Sequence, residues 1–166
     1  MLNILKEVEI ALPYWIADHQ NRWNSVFVDY HPPFVERLWC QWNEYRIYLH
    51  RIHPCLPNEA LFHPHPWPSA MKILSGKYEM AIGFGSGEIP PPVASTIILV
   101  EGTTYEMVHP DSWHYVRPLG EPAMSLMVAG RPWNRLSPGS GTKLQPLSEE
   151  QKARLFNFFR QIYKRS

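Results

Sequence analysis

The spacing of proline restricts the fold of this chain more than any other feature of its sequence. Seventeen of the 166 residues are proline, and they are scattered along the chain rather than repeated. Proline has no backbone N–H and breaks a helix from within, so the segments between these prolines can hardly be long helices. The middle of the chain is therefore predicted to consist of short strands joined by turns.

Alternating side chains support this prediction between residues 46 and 130. In the segment 46–53, Ile47 and Leu49 alternate with Arg46, Tyr48 and His50, as in a strand with one buried face. Further strands are predicted at residues 71–74, 77–84, 95–100, 104–108, 114–117 and 124–129. Short strands separated by turn residues are typical of a closed sandwich or barrel, so the fold class is predicted to be all-β.

Helices are predicted only near the two ends of the chain. Ser148 and Gln151 form a capping box at the start of the segment 149–164. Apolar residues then recur along one stripe of that helix, at Leu155, Phe156, Phe159, Ile162 and Tyr163. A shorter helix is predicted at residues 3–11, and the segment 131–146, rich in Pro, Gly and Ser, is predicted to be a loop.

The length of the chain predicts one domain spanning residues 1–166. With 45% hydrophobic residues the chain can bury one substantial core and is too short for two. Within this domain we expect a barrel core at about residues 46–130, an N-terminal extension at 1–45, and a C-terminal loop and helix at 131–166. Exposed edge strands would let two copies of such a barrel pair as a homodimer.

Charge and cysteine content narrow the class of partner. Sixteen basic and fifteen acidic side chains leave a net charge of +1 without a long basic block, so neither nucleic acid nor a membrane surface is an expected partner. Cys40 and Cys55 form no C-x-x-C motif, and neither a signal peptide nor a membrane-spanning apolar run is evident. We therefore expect a cytoplasmic protein that binds a small molecule.

Three histidines form the strongest candidate site. His63 and His65 are two residues apart, so in an extended strand their imidazoles project to the same face, while His114 lies in a second cluster. Neutral imidazole nitrogens suit one divalent transition metal, with iron(II) favoured and nickel, zinc, copper or manganese as alternatives. Because no carboxylate is among these ligands, the ion would keep its charge and attract a small anionic molecule into its open positions.

Five further residues are candidates for substrate binding or catalysis. Arg37 and Arg117 each present a guanidinium fork that matches a carboxylate, although an ordinary surface salt bridge is the alternative. Ser69 is a candidate for orienting substrate or water, and Tyr78 for lining the pocket, with plain packing as the alternative for both. His109 is a candidate fourth ligand or proton carrier, with a structural role in its turn as the alternative.

Two motifs resemble those of the cupin superfamily. His63-Pro64-His65, followed by Ser69 and then Gly76, resembles the first cupin motif, with Ser69 in the position of its glutamate. The run from His109 to His114 resembles the second motif. The resemblance implies a cupin-type double-stranded β-helix (jelly-roll) barrel, flanked by the N- and C-terminal helices, with a metal inside the barrel.

A narrower resemblance is to the cysteine dioxygenase branch, whose iron is held by three histidines. Its carriers are Ser69, Lys72, Leu74, Gly76, Glu79, Glu121, Pro122, Ala123, Ser125 and Leu126. Arg37 lies upstream at a distance similar to that of the branch's arginine, which binds the substrate carboxylate. Met127 and Ala129 stand where the branch has a histidine and a tyrosine. The resemblance therefore implies an iron-dependent dioxygenase that acts on another small thiol or carboxylate.

Two other classes of function stay open at this point. The first is a metal-dependent isomerase, epimerase or lyase, in which the ion only polarises a carbonyl and a side chain moves the proton. The second is a cupin that binds or senses a small molecule without transforming it, because one barrel fold serves many tasks.

Overall fold

Ten strands and two helices make up the described part of the chain. The computed structural model describes residues 1–17, 22–134, 141 and 143–164. The helices are α1 (Leu2–Ala17) and α2 (Glu149–Lys164). The strands are β1 (Asn24–Val28), β2 (Val35–Trp42), β3 (Tyr45–Ile52), β4 (His63–Pro64), β5 (Ser69–Ser75), β6 (Lys77–Phe84), β7 (Ser95–Val100), β8 (Thr104–Met107), β9 (Ser112–Pro118) and β10 (Ala123–Ala129). An all-β fold with a helix at each end is thereby confirmed.

The strands form two antiparallel sheets. Six of them follow the order β1-β2-β3-β10-β5-β8, and the other four follow the order β4-β9-β6-β7. Because consecutive side chains of a strand point to opposite faces, each strand of the larger sheet has one face toward the helices and one toward the smaller sheet. Leu49 and Leu126 lie in the core shared with α1 and α2, whereas their neighbours His50 and Met127 line a cavity between the sheets.

Both helices pack on the outer face of the larger sheet. In α1 the residues Leu5, Val8, Leu12 and Ile16 are buried at helical spacing, and α2 buries Leu155, Phe156 and Phe159. The capping box of α2 is present, since the Ser148 N–H donates to Gln151 Oε1 at 2.9 Å and the Gln151 N–H donates to Ser148 Oγ at 3.2 Å. The helix predicted at 149–164 is therefore confirmed.

Helix α1 is longer than the helix predicted at 3–11, because it continues through Pro13. A proline inside a helix costs about 3 kcal/mol, and full burial of an isoleucine or leucine returns about 1.5–3 kcal/mol. Leu12 and Ile16 are both within 1% of full burial, so packing against the sheet outweighs the break.

Two strands lie in the region predicted as an N-terminal extension. Strands β1 and β2 continue the larger sheet beyond β3, with Arg37 opposite His50. The alternation in β2 is obscured because its buried face includes Glu36, which accepts a hydrogen bond from Arg51 Nη1 at 3.2 Å. Of the predicted loop 131–146, residues 135–140 and 142 lie outside the described part. No helix in the described part is both long and apolar enough to cross a membrane.

Candidate metal centre

The three histidines predicted as ligands lie together at the cavity between the sheets. Strand β4 pairs with β9 so that His63 is directly opposite His114, and His65 follows one residue after β4. One ring nitrogen from each histidine can be chosen so that all three atoms lie within 4.8 Å of one another. Two short segments of one sheet therefore bring together residues that are about 50 positions apart in sequence.

Contacts at Nδ1 orient two of the three imidazoles. His63 Nδ1–H donates to the Leu61 carbonyl oxygen at 2.8 Å, which leaves Nε2 of His63 unprotonated in the neutral ring. His65 Nδ1 lies 3.2 Å from Ser69 Oγ, so Ser69 fixes the orientation of that ring from behind. His114 Nδ1 is buried and has no hydrogen-bond partner among the described residues.

The spacing of these nitrogens fits a transition metal. His65 Nε2 and His114 Nε2 are 2.9 Å apart. Two nitrogens bound to one ion at ~2.1 Å, with an angle of about 90° between the bonds, would be separated by roughly 3 Å. The spacing of His65 and His114 therefore suits two neighbouring positions on one ion, and three protein ligands in all would leave positions for other ligands.

Burial keeps these imidazoles neutral. Loss of water contact, together with the nearby His31 and Arg37, lowers the pKa of His63 from 6.5 to about 4, against the effect of the Leu61 carbonyl. Burial likewise lowers the pKa of His65 to about 3, with additional repulsion from His63 and Arg37. The pKa of His114 is lowered well below 6.5 by the same cause. Near pH 7 all three rings carry lone pairs that a metal can use.

The histidines open into a cavity of about 180 Å³ between the two sheets. A cavity of about 150 Å³ is large enough to hold benzene, so this one accommodates a single small molecule. The wall of the cavity is mostly apolar, and Arg37 is the lining residue that carries a charge. It is lined by Val28, Tyr30, His31, Pro33, Val35, Arg37, His50, Ile52, Leu61, His63, His65, Pro66, Trp67, Met71, Tyr78, Tyr105, His114, Val116, Met127 and Leu144.

Three of the predicted substrate-binding residues lie at or beside this cavity. Arg37 lines it from β2, and its Nε–H donates to His50 Nε2 at 3.0 Å. Tyr78 lines it from β6; its hydroxyl lies 2.9 Å from that of Tyr105, and burial raises the pKa of Tyr78, which keeps it protonated. Ser69 does not line the cavity but is fully buried behind His65.

Two other predicted site residues lie away from the cavity. Arg117 is on β9, where His114 and Val116 face the cavity, so alternation turns Arg117 to the other face. There its Nη2 lies 3.2 Å from Glu79 Oε1 in a salt bridge. His109 is in a turn with its side chain 55% exposed, and its Nδ1 accepts a hydrogen bond from the Asp111 backbone N–H at 3.1 Å. Neither residue is therefore brought to the three histidines.

Several cavity residues were not predicted from the sequence. His31 lies between β1 and β2, with its ring centroid 6.1 Å from that of His63 and its Nδ1–H donating to the Pro32 carbonyl at 2.8 Å. Nothing periodic marks it, because it lies in a turn. His50 belongs to the strand predicted at 46–53, but it was not among the candidate site residues. The alternation of β3 nevertheless indicates its position. Tyr48 and His50 lie on the face of this strand that is opposite the face of Ile47 and Leu49, and His50 lines the cavity.

The register of β3 and β10 also places side chains beside Ser125. His50 lies opposite Ser125, and Tyr48 lies opposite Met127. A histidine therefore lies opposite Ser125 and a tyrosine opposite Met127, and both come from the neighbouring strand.

Comparison with known proteins identifies the fold. The chain matches no protein-family model and no curated protein. A crystal structure of HppE with iron(II) is similar with a TM-score of 0.50 at 16% identity, over 66% of this chain and 56% of that chain. Hydroxypropylphosphonic acid epoxidase from S. wedmorenis gives 0.48 at 14% identity, over 64% and 55%. Streptomyces albus HEPD, with 2-hydroxyethylphosphonate and Fe(II) bound, gives 0.46 at 10% identity, over 59% and 21%.

The similarity to HppE, at a TM-score of 0.50, shows the fold of the chain. The chain has a cupin fold, and it spans little more than half of the HppE chain. Inside that fold lies a cluster of three histidines whose geometry suits a divalent metal. At identities this low, the likeness establishes the fold and leaves the activity to be argued from the site itself.

Proposed function

We propose that this chain is a metal-binding cupin that uses iron(II) to oxygenate a small anionic thiol or carboxylate. One observation carries the proposal. The three-histidine cluster lines the same cavity as Arg37, an arginine without an acidic partner among the described residues. Iron(II), when bound, supplies open coordination positions and redox chemistry with dioxygen. The remaining tasks, which are binding, orienting and enclosing the substrate, fall to the side chains of the cavity.

The charges of the cavity favour an anion. No aspartate or glutamate is among the described residues that line it. Three neutral imidazoles would leave both charges of a divalent ion uncompensated, and Arg37 adds a third positive charge in the same space. A negatively charged molecule is the ligand that compensates them.

Arg37 has no carboxylate partner among the described residues, unlike four other arginines of the chain. Arg51, Arg117, Arg131 and Arg154 each form a salt bridge with a glutamate. Within the described residues, the one side-chain hydrogen bond of Arg37 is to His50, a neutral ring, and its Cζ lies 5.0 Å from the centroid of the Tyr48 ring. A partly buried guanidinium with unused donors is suited to a substrate carboxylate.

The apolar wall limits the size and shape of the substrate. Met71, Met127, Trp67 and Val116 line the cavity, and Tyr105 O–H donates to Met71 Sδ at 3.0 Å. A volume of about 180 Å³ suits a molecule of about six to ten non-hydrogen atoms. We therefore expect a short substrate with an anionic group at one end, rather than a sugar chain or a peptide.

Oxygen consumption tests this function. The protein is purified without chelator, its metal is determined by elemental analysis, and the iron(II)-loaded form is assayed with small thiols, carboxylates and phosphonates. We expect oxygen uptake with at least one thiol or carboxylate, and loss of uptake in Arg37→Met but not in His109→Gln. No uptake across the whole panel, with iron bound at one per chain, would refute a dioxygenase.

A metal-dependent isomerase or lyase is the second candidate, and His31 is the observation that favours it. This histidine lines the cavity next to His63 but is outside the three-histidine cluster, so it is an imidazole placed to exchange a proton with a bound substrate. Turnover supported by zinc or manganese under anaerobic conditions, and lost in His31→Gln, would select this candidate. A ligand that stays bound and unchanged in both assays would instead indicate a binding protein.

A further inference from the structure

We propose that His50 is a positioning residue that holds the guanidinium of Arg37 in the orientation that binds the substrate anion. This inference rests on the proposed function, in which Arg37 contacts that anion. It assigns a task to a histidine that is outside the three-histidine cluster and within the wall of the same cavity.

Three neighbouring strands carry a line of hydrogen-bonding groups. Arg37 on β2 is opposite His50 on β3, which is opposite Ser125 on β10. The Arg37 Nε–H donates to His50 Nε2 at 3.0 Å. An imidazole that accepts at Nε2 carries its proton on Nδ1, and Nδ1 lies 3.5 Å from Ser125 Oγ, where a serine hydroxyl can accept that proton. The tautomer of His50 is therefore set by its two neighbours.

Burial makes this arrangement rigid. His50 is 4% exposed and Ser125 is fully buried. The ring of Tyr48 is stacked on that of His50 with a centroid distance of 5.7 Å, and it also lies under the Arg37 guanidinium. The guanidinium is thus fixed at its Nε edge by His50 and on its face by Tyr48, while its two terminal nitrogens have no hydrogen bond or ion pair among the described residues.

A neutral partner gives Arg37 an orientation without removing its charge. A glutamate in the place of His50 would fix the guanidinium equally well, but it would also compensate the positive charge that attracts the substrate. Burial and the charge of Arg37 lower the pKa of His50 well below 6.5, so this ring stays neutral. A histidine at this position therefore keeps a free positive charge in a fixed geometry.

The test compares two substitutions that remove different halves of the imidazole. His50→Gln places an amide oxygen near the former Nε2 and can still accept from Arg37. His50→Asn is shorter, reaches only the Ser125 side and leaves Arg37 Nε without its acceptor. Each variant is loaded with cobalt(II), and ligand binding is followed by the change in its visible spectrum. The ligands are mercaptoacetate, 3-mercaptopropionate and 4-mercaptobutyrate, each compared with the alkanethiol of equal length.

At each chain length, the dissociation constant of the mercaptocarboxylate is compared with that of the alkanethiol. The ratio of the two isolates the contribution of the carboxylate contact. We expect wild-type protein to prefer one mercaptocarboxylate over its alkanethiol, and His50→Asn to reduce that preference at least about ten-fold, with little change for the alkanethiol. His50→Gln should recover most of the preference. Equal weakening of both ligands in His50→Asn, or an unchanged ratio, would overturn the positioning role.

Arg37→Met separates this inference from the proposed function. If wild-type protein shows no preference at any length, or if Arg37→Met leaves the preference intact, the anion contact itself is wrong. If Arg37→Met abolishes the preference and His50→Asn does not, only the role of His50 is wrong.

A second measurement needs neither metal nor ligand. In metal-free protein labelled with ¹⁵N-arginine, the Arg37 Nε–H signal is assigned by its absence in Arg37→Met. We expect slow exchange of this hydrogen with solvent in wild-type protein and in His50→Gln. Should His50→Asn not fold, Ser125→Ala replaces it, and faster exchange than in wild-type protein is expected there too. The inference would be overturned if the Arg37 Nε–H of the tested variant, His50→Asn or Ser125→Ala, exchanged as slowly as in wild-type protein.

Discussion

Acid should destabilise the metal-free protein through its buried histidines. In the folded chain, burial lowers the pKa of His63 from 6.5 to about 4 and that of His65 to about 3. The unfolded chain exposes both rings, so below pH 6.5 it binds more protons than the folded chain does. The free energy of unfolding must therefore fall as the pH is lowered through this range, and it must recover as the pH is raised.

The size of the effect follows from the shifted pKa values. One imidazole with a pKa of 6.5 when unfolded and about 4 when folded removes roughly 1–2 kcal/mol between pH 6.5 and pH 5. His63 and His65 together remove about 3 kcal/mol, and His114 is shifted in the same direction. A typical domain has only about 5–15 kcal/mol of stability, so the loss should be easy to measure.

Urea unfolding of chelator-treated protein between pH 7 and pH 5 measures this slope. Replacing His65 by Gln should reduce the slope by about 1 kcal/mol per pH unit, while His109→Gln, which alters an exposed turn, serves as the control. A free energy of unfolding that is flat or rises on acidification would refute the assignment of neutral, buried imidazoles. Bound metal should be retained to a lower pH than the ordinary histidine pKa of about 6.5 would suggest.

Three further predictions concern separate parts of the molecule. Arg37→Met should weaken binding of carboxylate-bearing ligands at least about ten-fold, as measured by titration of the metal-loaded protein, while Arg117→Met should leave it unchanged. Ser69→Ala should lower metal affinity about 10–100-fold, as measured by competition with a chelator, because it removes the hydroxyl behind His65. Leu126→Ala should lower the free energy of urea unfolding by about 2–5 kcal/mol, because this side chain is fully buried; a loss below about 1 kcal/mol would contradict the described core.

Local patterns predicted most of the fold. The capping box at Ser148 and the apolar stripe of α2 depend on residues a few positions apart, and the strands from β3 onward, except the two-residue β4, follow from alternation and turn residues. The start of the chain was harder to predict. Helix α1 passes through Pro13, and β2 buries Glu36, because contacts with distant residues outweigh the local preferences of both positions.

The candidate site was predictable where the chemistry is carried by a motif. The histidines at 63, 65 and 114 are brought together as expected. His31 could not be assigned in the same way, because it lies outside the strands and no periodic pattern marks it, whereas the face of His50 follows from the alternation of β3. Arg117 is separated from the cavity because alternation along β9 places it on the face opposite that of His114 and Val116.

The most direct test of the metal centre is X-ray absorption spectroscopy on protein purified without chelator from iron-supplemented cells. We expect about one metal ion per chain, with nitrogen donors at about 2.1 Å and the scattering pattern of three imidazoles, and a loss of most of the metal in His114→Ala. A wild-type protein without bound metal, or a His114→Ala variant with the same metal content and spectrum, would contradict the account.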